Sequence, residues 1–228
     1  MLFEELWMLF RGLFKSLVYI ALFWVVSVNA GETTVLKEDI DAMVEEGMAA
    51  YHINDLSKAM PLLGRAAEMG HAKAQGYLAY QLHKASEYDL ALKWYEKSAK
   101  QGYSESQYGL AGMYREGKGV DVNYEQALNW YQQAAEGEFV AAQSALATAY
   151  ERGHLDLPVD FERAFSWYTK AALGGQLQAA KRLVMAYRLG ELGRAIDLKQ
   201  AQRWQQQVEK ILAERERRAT QATTGSDQ

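Results

Sequence analysis

The segment that most resembles a chemical site is a G-x-x-x-x-G-K run from Gly112 to Lys118. A phosphate-binding loop of that spacing cradles phosphates with backbone amides, but it needs Ser or Thr after the lysine and a strand before the first glycine. Gly119 stands where the hydroxyl residue is required, and Gly112 lies within a helical pattern. The run therefore does not predict nucleotide binding, and we expect no cofactor.

Other residue types that carry chemistry are scattered rather than clustered. The four histidines show no i, i+4 pairing and no carboxylates at ligand spacing, so we expect no metal site; they are His52, His71, His83 and His154. The acidic pair Glu45 and Glu46 is explained by a solvated helix face. No Ser, His and Asp arrangement stands out, although a triad can be scattered in sequence. We therefore expect no catalytic residues and a protein that is not an enzyme.

Composition narrows the class of partner. The chain has 228 residues, no cysteine and a formal net charge of −4. Without cysteine, disulfides, thiolate metal sites and cysteine nucleophiles are excluded. A slightly acidic chain argues against nucleic-acid binding and gives no electrostatic reason for attraction to anionic membrane surfaces. About half of the residues are hydrophobic and only two are proline, which suits a protein built from long helices around a substantial core.

The N-terminal 30 residues are predicted to be a signal peptide. An uncharged apolar run from Leu17 to Val28 is too short to span a bilayer comfortably, and Arg11 and Lys15 precede it. The small residues of Val28-Asn29-Ala30 suit signal peptidase. We predict cleavage after Ala30 and a periplasmic protein.

Two alternatives concern the same segment. Glu4 and Glu5 are unusual in a signal peptide, so the true start is either Met1 or Met8. An uncleaved anchor over 9–28 would instead hold the protein at the inner membrane, with its basic flank in the cytoplasm and its body in the periplasm. In both cases the body lies outside the cytoplasm.

Beyond this segment the sequence repeats itself. The stretch ALNWYQQAAEGE begins at Ala127, and related stretches begin at Ala59, Ala91, Ala164 and Ala201, at spacings of 32, 36, 37 and 37 residues. A pattern that recurs at a nearly fixed period indicates an array of repeats rather than one active site. We therefore interpret the Trp-Tyr pair as structural, with the Trp filling the space between neighbouring helices.

A second pattern alternates with the first. A small residue, a leucine and a large residue follow one another at intervals of four, which places each triplet on one helix face; the triplets are Ala74/Leu78/Leu82, Ser106/Leu110/Tyr114, Ala142/Leu146/Tyr150 and Ala179/Leu183/Tyr187. The helices are predicted at 39–51, 56–69, 73–84, 88–100, 104–116, 124–136, 140–152, 161–173, 177–189 and 198–218.

Residue types at the helix ends agree with these ranges. Hydrogen-bond acceptors precede the second helix of each pair and suit N-caps, although Glu87 is a poor cap type; they are Asp55, Glu87, Asn123, Asp160 and Asp197. Glycines that we expect in the left-handed conformation end the first four of these helices; they are Gly70, Gly102, Gly137 and Gly174.

These patterns resemble the Sel1-like repeat family, relatives of the tetratricopeptide repeats. The clearest segment is SQYGLAGMYREGKGVDVNYEQALNWYQQAAEGE, Ser106 to Glu138. The resemblance is strong over about 103–204, while the upstream part looks more like a tetratricopeptide unit. It implies an all-α, right-handed α-solenoid of about five stacked helix-turn-helix repeats over 39–218, after a linker at 31–38. The charged final helix suits a solenoid cap, and a disordered tail is predicted at 219–228.

The resemblance also implies a function. Solenoids of this kind typically hold a protein or peptide in a concave groove lined by the first helix of each pair. Flanking the triplets, the predicted groove residues are Tyr77, Tyr80, His83, Tyr108, Arg115, Arg152, Arg182 and Arg188. Alternatively, the tyrosines fill gaps between repeats and the arginines keep helix ends soluble.

We expect a non-catalytic exported adaptor for a partner protein in an envelope complex. The alternative is a cell-envelope enzyme or enzyme subunit acting on peptidoglycan or polysaccharide.

Overall fold

The fold consists of helices joined by short loops. The structure, a computed structural model, describes residues 37–224, which contain ten helices and no strand. The helices are α1 Lys37–His52, α2 Leu56–Glu68, α3 Ala72–Lys84, α4 Tyr88–Lys100, α5 Ser104–Glu116, α6 Tyr124–Glu136, α7 Val140–Arg152, α8 Phe161–Leu173, α9 Leu177–Leu189 and α10 Leu198–Thr224. The predicted all-α class is confirmed, and the predicted ranges of α4 to α9 match the observed bounds.

The signal peptide or anchor predicted over residues 1–30 lies outside the described residues. Within 37–224, no helix combines the length and the apolar character that crossing a membrane requires.

The chain divides into two compact units. The first extends to Gly109 and includes Lys118–Val120; the second comprises Leu110–Gly117 and continues from Asp121. In the first unit, α1 packs on α2, α2 on α3 and α3 on α4. In the second, α6 packs on α7, α7 on α8, α8 on α9 and α9 on α10. Consecutive helices therefore pack as helix-turn-helix repeats, as the sequence predicts.

Side-chain caps begin the even-numbered helices as predicted. The Asp55 carboxylate accepts a hydrogen bond from the backbone N–H of Lys58 at 3.2 Å. Asn123, Asp160 and Asp197 accept from the third residue after them at 2.9, 2.9 and 3.0 Å. Glu87 makes no such cap hydrogen bond, in agreement with its poor cap type.

The helix ends correct one prediction. Gly70 and Gly102 adopt positive φ angles of 94° and 87°, but Gly137 and Gly174 have φ of −75° and −74°. The left-handed residue lies two positions beyond each helix, where Glu138 has φ of 61° and a second glycine follows Gly174. The prediction was wrong at Gly137 and Gly174 because these glycines directly follow their helices, whereas Gly70 and Gly102 lie two residues beyond theirs.

The residue that fills the space between helices is the tyrosine rather than the tryptophan. Tyr131 is 2% exposed, whereas Trp130 is only partly buried. Consecutive helical residues point about 100° apart, so the two side chains of each pair cannot face the same neighbour. Two of the tryptophan rings are instead covered by a lysine one turn later, with Nζ 4.2 Å from the ring centroid; these pairs are Trp94 with Lys97 and Trp167 with Lys170.

Buried glutamines join neighbouring helices. The side-chain amides of Gln75, Gln107 and Gln143 each donate to the carbonyl of an alanine eight residues earlier, at 3.0 to 3.2 Å. These bonds satisfy acceptors at the carboxyl ends of α2, α4 and α6, which would otherwise lack intrahelical partners. At the corresponding position α9 has an alanine, and Gln207 of α10 donates to Ala172 at 3.3 Å instead.

The final helix is longer than predicted. It continues to Thr224, so residues 219–224 are helical and the prediction of a disordered tail was wrong for them. The Thr220 hydroxyl donates to the Glu216 carbonyl at 2.8 Å, as a side chain within a continuing helix does. At the other end, α1 begins at Lys37, within the predicted linker.

Candidate functional site

The first unit contains four of the predicted groove residues, and they differ in exposure. Tyr80 is 50% exposed, with the Lys84 ammonium 5.7 Å from its ring centroid. Tyr77 packs edge-on against Tyr51 at 4.7 Å between ring centroids, and burial raises the pKa of its phenol. His83 packs edge-on against Tyr88 at 5.4 Å. Tyr80 is therefore the exposed member of this set.

The fourth predicted residue, Tyr108, is half-buried in α5.

The second unit contains the four predicted arginines. Arg115 forms an ion pair with its neighbour Glu116, and its guanidinium lies 6.0 Å from the Tyr131 ring centroid. Arg152 and Arg188 are exposed, and neither makes a hydrogen bond or an ion pair with another residue of the described chain. The side chain of Arg182 is 24% exposed. These four arginines therefore have three different environments.

Arg182 belongs to a polar network that links α7, α8 and α9. Its Nε and Nη2 donate to Glu151 Oε1 at 2.9 and 2.6 Å, and its Nη1 donates to Glu191 at 2.5 Å. The Tyr168 hydroxyl donates to the other Glu151 oxygen at 2.6 Å and lies 3.3 Å from the Thr148 hydroxyl. With two carboxylates around it, the Arg182 charge is neutralised within the fold.

The network changes the acidity of its members. Burial alone raises the pKa of Glu151, but the hydrogen bonds from Arg182 and Tyr168 outweigh burial and hold the pKa below its usual value of 4.5. Burial raises the pKa of Tyr168 to about 12, and its bond to the Glu151 carboxylate adds to that rise. Glu151 is therefore ionised and Tyr168 neutral near pH 7, which suits a structural ion pair.

Three of the predicted groove arginines do not occupy the same position in their helices. Arg115 and Arg188 are the twelfth residues of α5 and α9, but Glu151 occupies that position in α7 and Arg152 is the thirteenth. One residue along a helix rotates the side chain by about 100°. Arg152 therefore points in a different direction from Arg115 and Arg188 within its own helix.

The outer face of α9 exposes two apolar side chains that the sequence analysis missed. Met185 and Leu189 are 42% and 55% exposed, and they lie one turn apart on the face that also contains Lys181 and Arg188. Met185 is the ninth residue of α9, as Tyr80 is of α3. The rule that selected Tyr80, two residues after the central leucine, would also have found Met185.

The glycine-lysine run is a packing element. Gly112 lies inside α5, and the Lys118 ammonium is 5.5 Å from the Tyr88 ring centroid. Gly119 has φ of 68°, and a Cβ atom there would lie 2.8 Å from the Tyr88 carbonyl oxygen. Only glycine fits so close to that backbone. In residues 37–224, no group of three or more His, Asp and Glu could hold a metal ion.

Comparison with known sequences gives one family. A sequence model of the Sel1 repeat matches residues 46–71, 72–103, 104–139 and 140–176. The model therefore also matches the segment upstream of 103, where the sequence showed a weaker resemblance, and its last matched segment ends at 176. The upstream repeats have shorter loops but bury the same alanine and leucine positions, such as Ala66 and Leu78.

Relatives share the repeats and differ in length. An F-box protein of Arabidopsis thaliana is 36% identical over 83 residues, which are 36% of this chain and 24% of that protein. The alignment thus spans about a quarter of that relative.

Solved structures show the same fold. A Sel1 repeat protein from Oxalobacter formigenes superposes with a TM-score of 0.67 and 27% identity, over 74% of this chain and 70% of that one. A second match is a protective antigen that is present in uropathogenic Escherichia coli strains and displays an SLR fold. It superposes with a TM-score of 0.65 and 30% identity, over 75% of this chain and 38% of the antigen. With four matched segments that fill more than half of the sequence, the chain belongs to the Sel1 repeat family.

Proposed function

We propose that the protein is a non-catalytic adaptor that binds a partner protein through the outer faces of its odd-numbered helices. The observation that carries this proposal is the exposed apolar residue at the ninth position of a helix in each unit, Tyr80 in α3 and Met185 in α9. Each has a cationic side chain one turn further along, Lys84 and Arg188 respectively. Solenoid proteins use extended faces of this type to hold other proteins.

The chemistry of these faces favours a partner segment that combines apolar and acidic side chains. Met185 and Leu189 offer an adaptable apolar contact, since the unbranched methionine adjusts to irregular partners. Arg188 and Arg152 offer unpaired guanidinium groups, which bind carboxylates in a bidentate manner. A segment with an apolar residue beside a carboxylate would satisfy both.

The contacts within the fold narrow the predicted groove set. Arg115 and Arg182 already face carboxylates, so a new partner would gain little from either charge. Tyr77 and His83 pack against neighbouring rings. The residues proposed to contact the partner are Tyr80, Arg152, Met185, Arg188 and Leu189.

We also propose that the adaptor acts outside the cytoplasm, held there by export of the mature chain or by an inner-membrane anchor. The support is the apolar run with its basic flank in residues 1–30. Mass spectrometry of the chain purified from the periplasm should give Gly31 as the first residue if the segment is cleaved. Full-length chain recovered from the cytoplasm would contradict export.

The test of partner binding uses paired variants. Cell-envelope extracts are passed over the purified protein, and each captured protein is then made pure and its affinity measured by calorimetry. Met185→Ala with Arg188→Ala should weaken binding of the true partner by about tenfold or more, since two interface anchors each contribute over about 1 kcal/mol. Arg203→Ala with Leu212→Ala removes a similar exposed pair from α10 and should leave the affinity unchanged.

Equal affinities for the two double variants would contradict the α9 surface. Turnover of purified peptidoglycan or polysaccharide by the isolated chain would instead favour the enzyme alternative.

A further inference from the structure

The second unit contains a cleft that is separate from the α9 surface. It has a volume of about 360 Å³ and lies between the carboxyl end of α8 and the part of α10 from Gln207 to Arg218. Lys210, Arg215 and Arg218 line it, with Glu214 among them and Leu173 on the α8 side. Leu173 is 66% exposed, so the cleft presents an apolar contact beside three cations.

The cleft exists because α10 does not stop where the other even-numbered helices stop. Helices α2, α4, α6 and α8 are 13 residues long, whereas α10 has 27. In the part of α10 whose side chains are described, which ends at Gln221, Ile211 is the last buried residue, and from Leu212 to Gln221 every side chain is exposed or half-buried. This extension therefore contributes little apolar burial to the fold, although it forms one wall of the cleft.

Cations near the end of a helix often serve to bind its free carbonyl groups, but here those carbonyls are occupied. The carbonyls of Lys170, Ala171 and Ala172 accept from the backbone N–H groups of the three residues Gly174, Gln176 and Gly175. Ala172 also accepts from the Gln207 side chain. The three cations of the cleft are thus not needed to bind these three carbonyls of α8.

The cations are also without ion pairs. Lys210, Arg215 and Arg218 make no hydrogen bond or salt bridge with any residue in the described part of the chain, and Glu214 pairs with none of them. Three positive charges against one negative charge leave the cleft basic in a chain whose formal net charge is −4. This local excess attracts anionic groups.

We propose that the cleft is a second docking site, which binds an acidic segment of a partner protein. Carboxylates of the segment pair with Lys210, Arg215 and Arg218, and an apolar side chain packs on Leu173. A nucleic-acid backbone fits less well, since it requires a longer basic stripe and would meet the Glu214 carboxylate. The inference goes beyond the proposed function because it uses none of the same residues.

The test measures the anisotropy of a fluorescein-labelled peptide that alternates Glu and Leu, titrated with the full mature chain. Lys210→Glu with Arg215→Glu should weaken peptide binding by about tenfold or more. Arg203→Glu with Arg217→Glu makes the same change in charge on the same helix outside the cleft, and should alter the affinity by less than about twofold. Both pairs are exposed, so thermal unfolding should report unchanged stability.

Three outcomes would contradict the proposed binding in the cleft. Equal losses in the two charge-reversal variants would show general electrostatic attraction. A peptide that alternates Glu and Ser and binds equally well would remove the role of Leu173. Tighter binding of single-stranded RNA, lost in the same Lys210 and Arg215 variant, would make the site one for nucleic acid.

The α9 variant separates this inference from the proposed function. Met185→Ala with Arg188→Ala should bind the peptide like the unmodified chain. If that variant loses the peptide instead, the peptide binds α9 and the cleft assignment fails, while the proposed adaptor surface stands.

Discussion

The two units of the protein pack their helices by different means. In the first unit, helical glycines allow close approach, and a Cβ atom at Gly109 would lie 2.6 Å from the Tyr95 ring. A Cβ atom at Gly76 would collide with Ser106, and one at Gly47 would lie 2.8 Å from Leu63. The large side chains of this unit therefore occupy space that the absence of a methyl group provides.

The second unit has no comparably tight glycine inside a described helix, although a Cβ atom at Gly174, the residue after α8, would lie 2.6 Å from Val140. A Cβ atom at Gly112 would find its nearest neighbour, the Tyr131 hydroxyl, at 3.9 Å. Here the Tyr168 hydroxyl is held by Glu151, which Arg182 in turn neutralises. Tyr95 and Tyr168 occupy the same repeat position and are both buried, yet the first packs on a glycine and the second joins an ionic network.

This difference shows that the repeat specifies the arrangement of the helices, whereas the side chains that fill the space between them differ from one unit to the other. The buried alanines and the tyrosine of α4, α6 and α8 keep these helices at a similar spacing from their neighbours. The residues opposite the tyrosine then vary between apolar contact and hydrogen bonding. A repeat can therefore change its chemistry without changing its fold.

The largest effect is expected at Gly109. Gly109→Ala should lower the free energy of unfolding by about 2 kcal/mol. The collision with the buried Tyr95 ring places the overpacking cost at the upper end of about 1 to 3 kcal/mol, and helix propensity returns about 1. Gly112→Ala in the same helix should raise it by about 0.5 to 1 kcal/mol, because the new methyl group meets no close neighbour. Urea denaturation of both variants measures the difference, and equal stabilities would remove the contrast between the units.

An effect of similar size is expected from the ionic network of the second unit. Arg182→Met should cost about 2 kcal/mol at pH 7, because it leaves the Glu151 carboxylate, 16% exposed, without its cation. Since the pKa of Glu151 is lowered in the fold, its stabilisation is present above the usual value of 4.5 and lost as the pH falls through the folded-state pKa. The variant should therefore lose less stability than the unmodified chain between neutral and acidic pH.

The control is Arg163→Met, which removes an exposed arginine paired with Asp160. This change should leave the acid dependence as it is, because exposed pairs contribute little. Unfolding in urea at neutral and at acidic pH measures the stability of the unmodified chain and of the two variants. The same loss of stability on acidification in all three would contradict the role of the network.

The smallest effect concerns the helix ends. The first unit places glycine at the left-handed position after α2 and α4, but the second unit has Glu138 there after α6, with φ of 61°. Glu138→Gly should stabilise the protein by about 0.5 to 1 kcal/mol, because a residue with a Cβ is strained in that conformation. Glu136→Gly, within α6, should destabilise it by about 1 kcal/mol. Thermal unfolding measures both variants. A change of the melting temperature in the same direction for both would contradict the strain at Glu138.

Much of the fold could be predicted from the sequence because its signals are local. Helix periodicity and side-chain caps involve residues a few positions apart, and the ranges of α4 to α9 follow from them. The Glu87 exception could also be predicted, since its side chain is a poor cap. The end of α10 could not, because a charged helix without a stop residue continues until local preference fades.

The candidate site depended more on contacts between distant residues. The sequence predicts that Arg182 is a groove residue with a free charge. In the structure its guanidinium donates to Glu151, which lies 31 positions away in the sequence and is brought close by the packing of the helices. Met185 is the opposite case. Its residue type suggests a core position, but in the described part of the chain its side chain stays 42% exposed. Sequence spacing places a side chain on a helix face and says nothing about what that face meets.

By itself, the sequence determined the all-α class, the repeat period, most helix bounds and the N-caps, since each arises within one turn or one repeat. Tertiary structure decided which member of each Trp-Tyr pair is buried, because the two point about 100° apart and only the neighbouring helix selects between them. It also decided that Arg182 keeps no free charge, since its partner Glu151 comes from another helix.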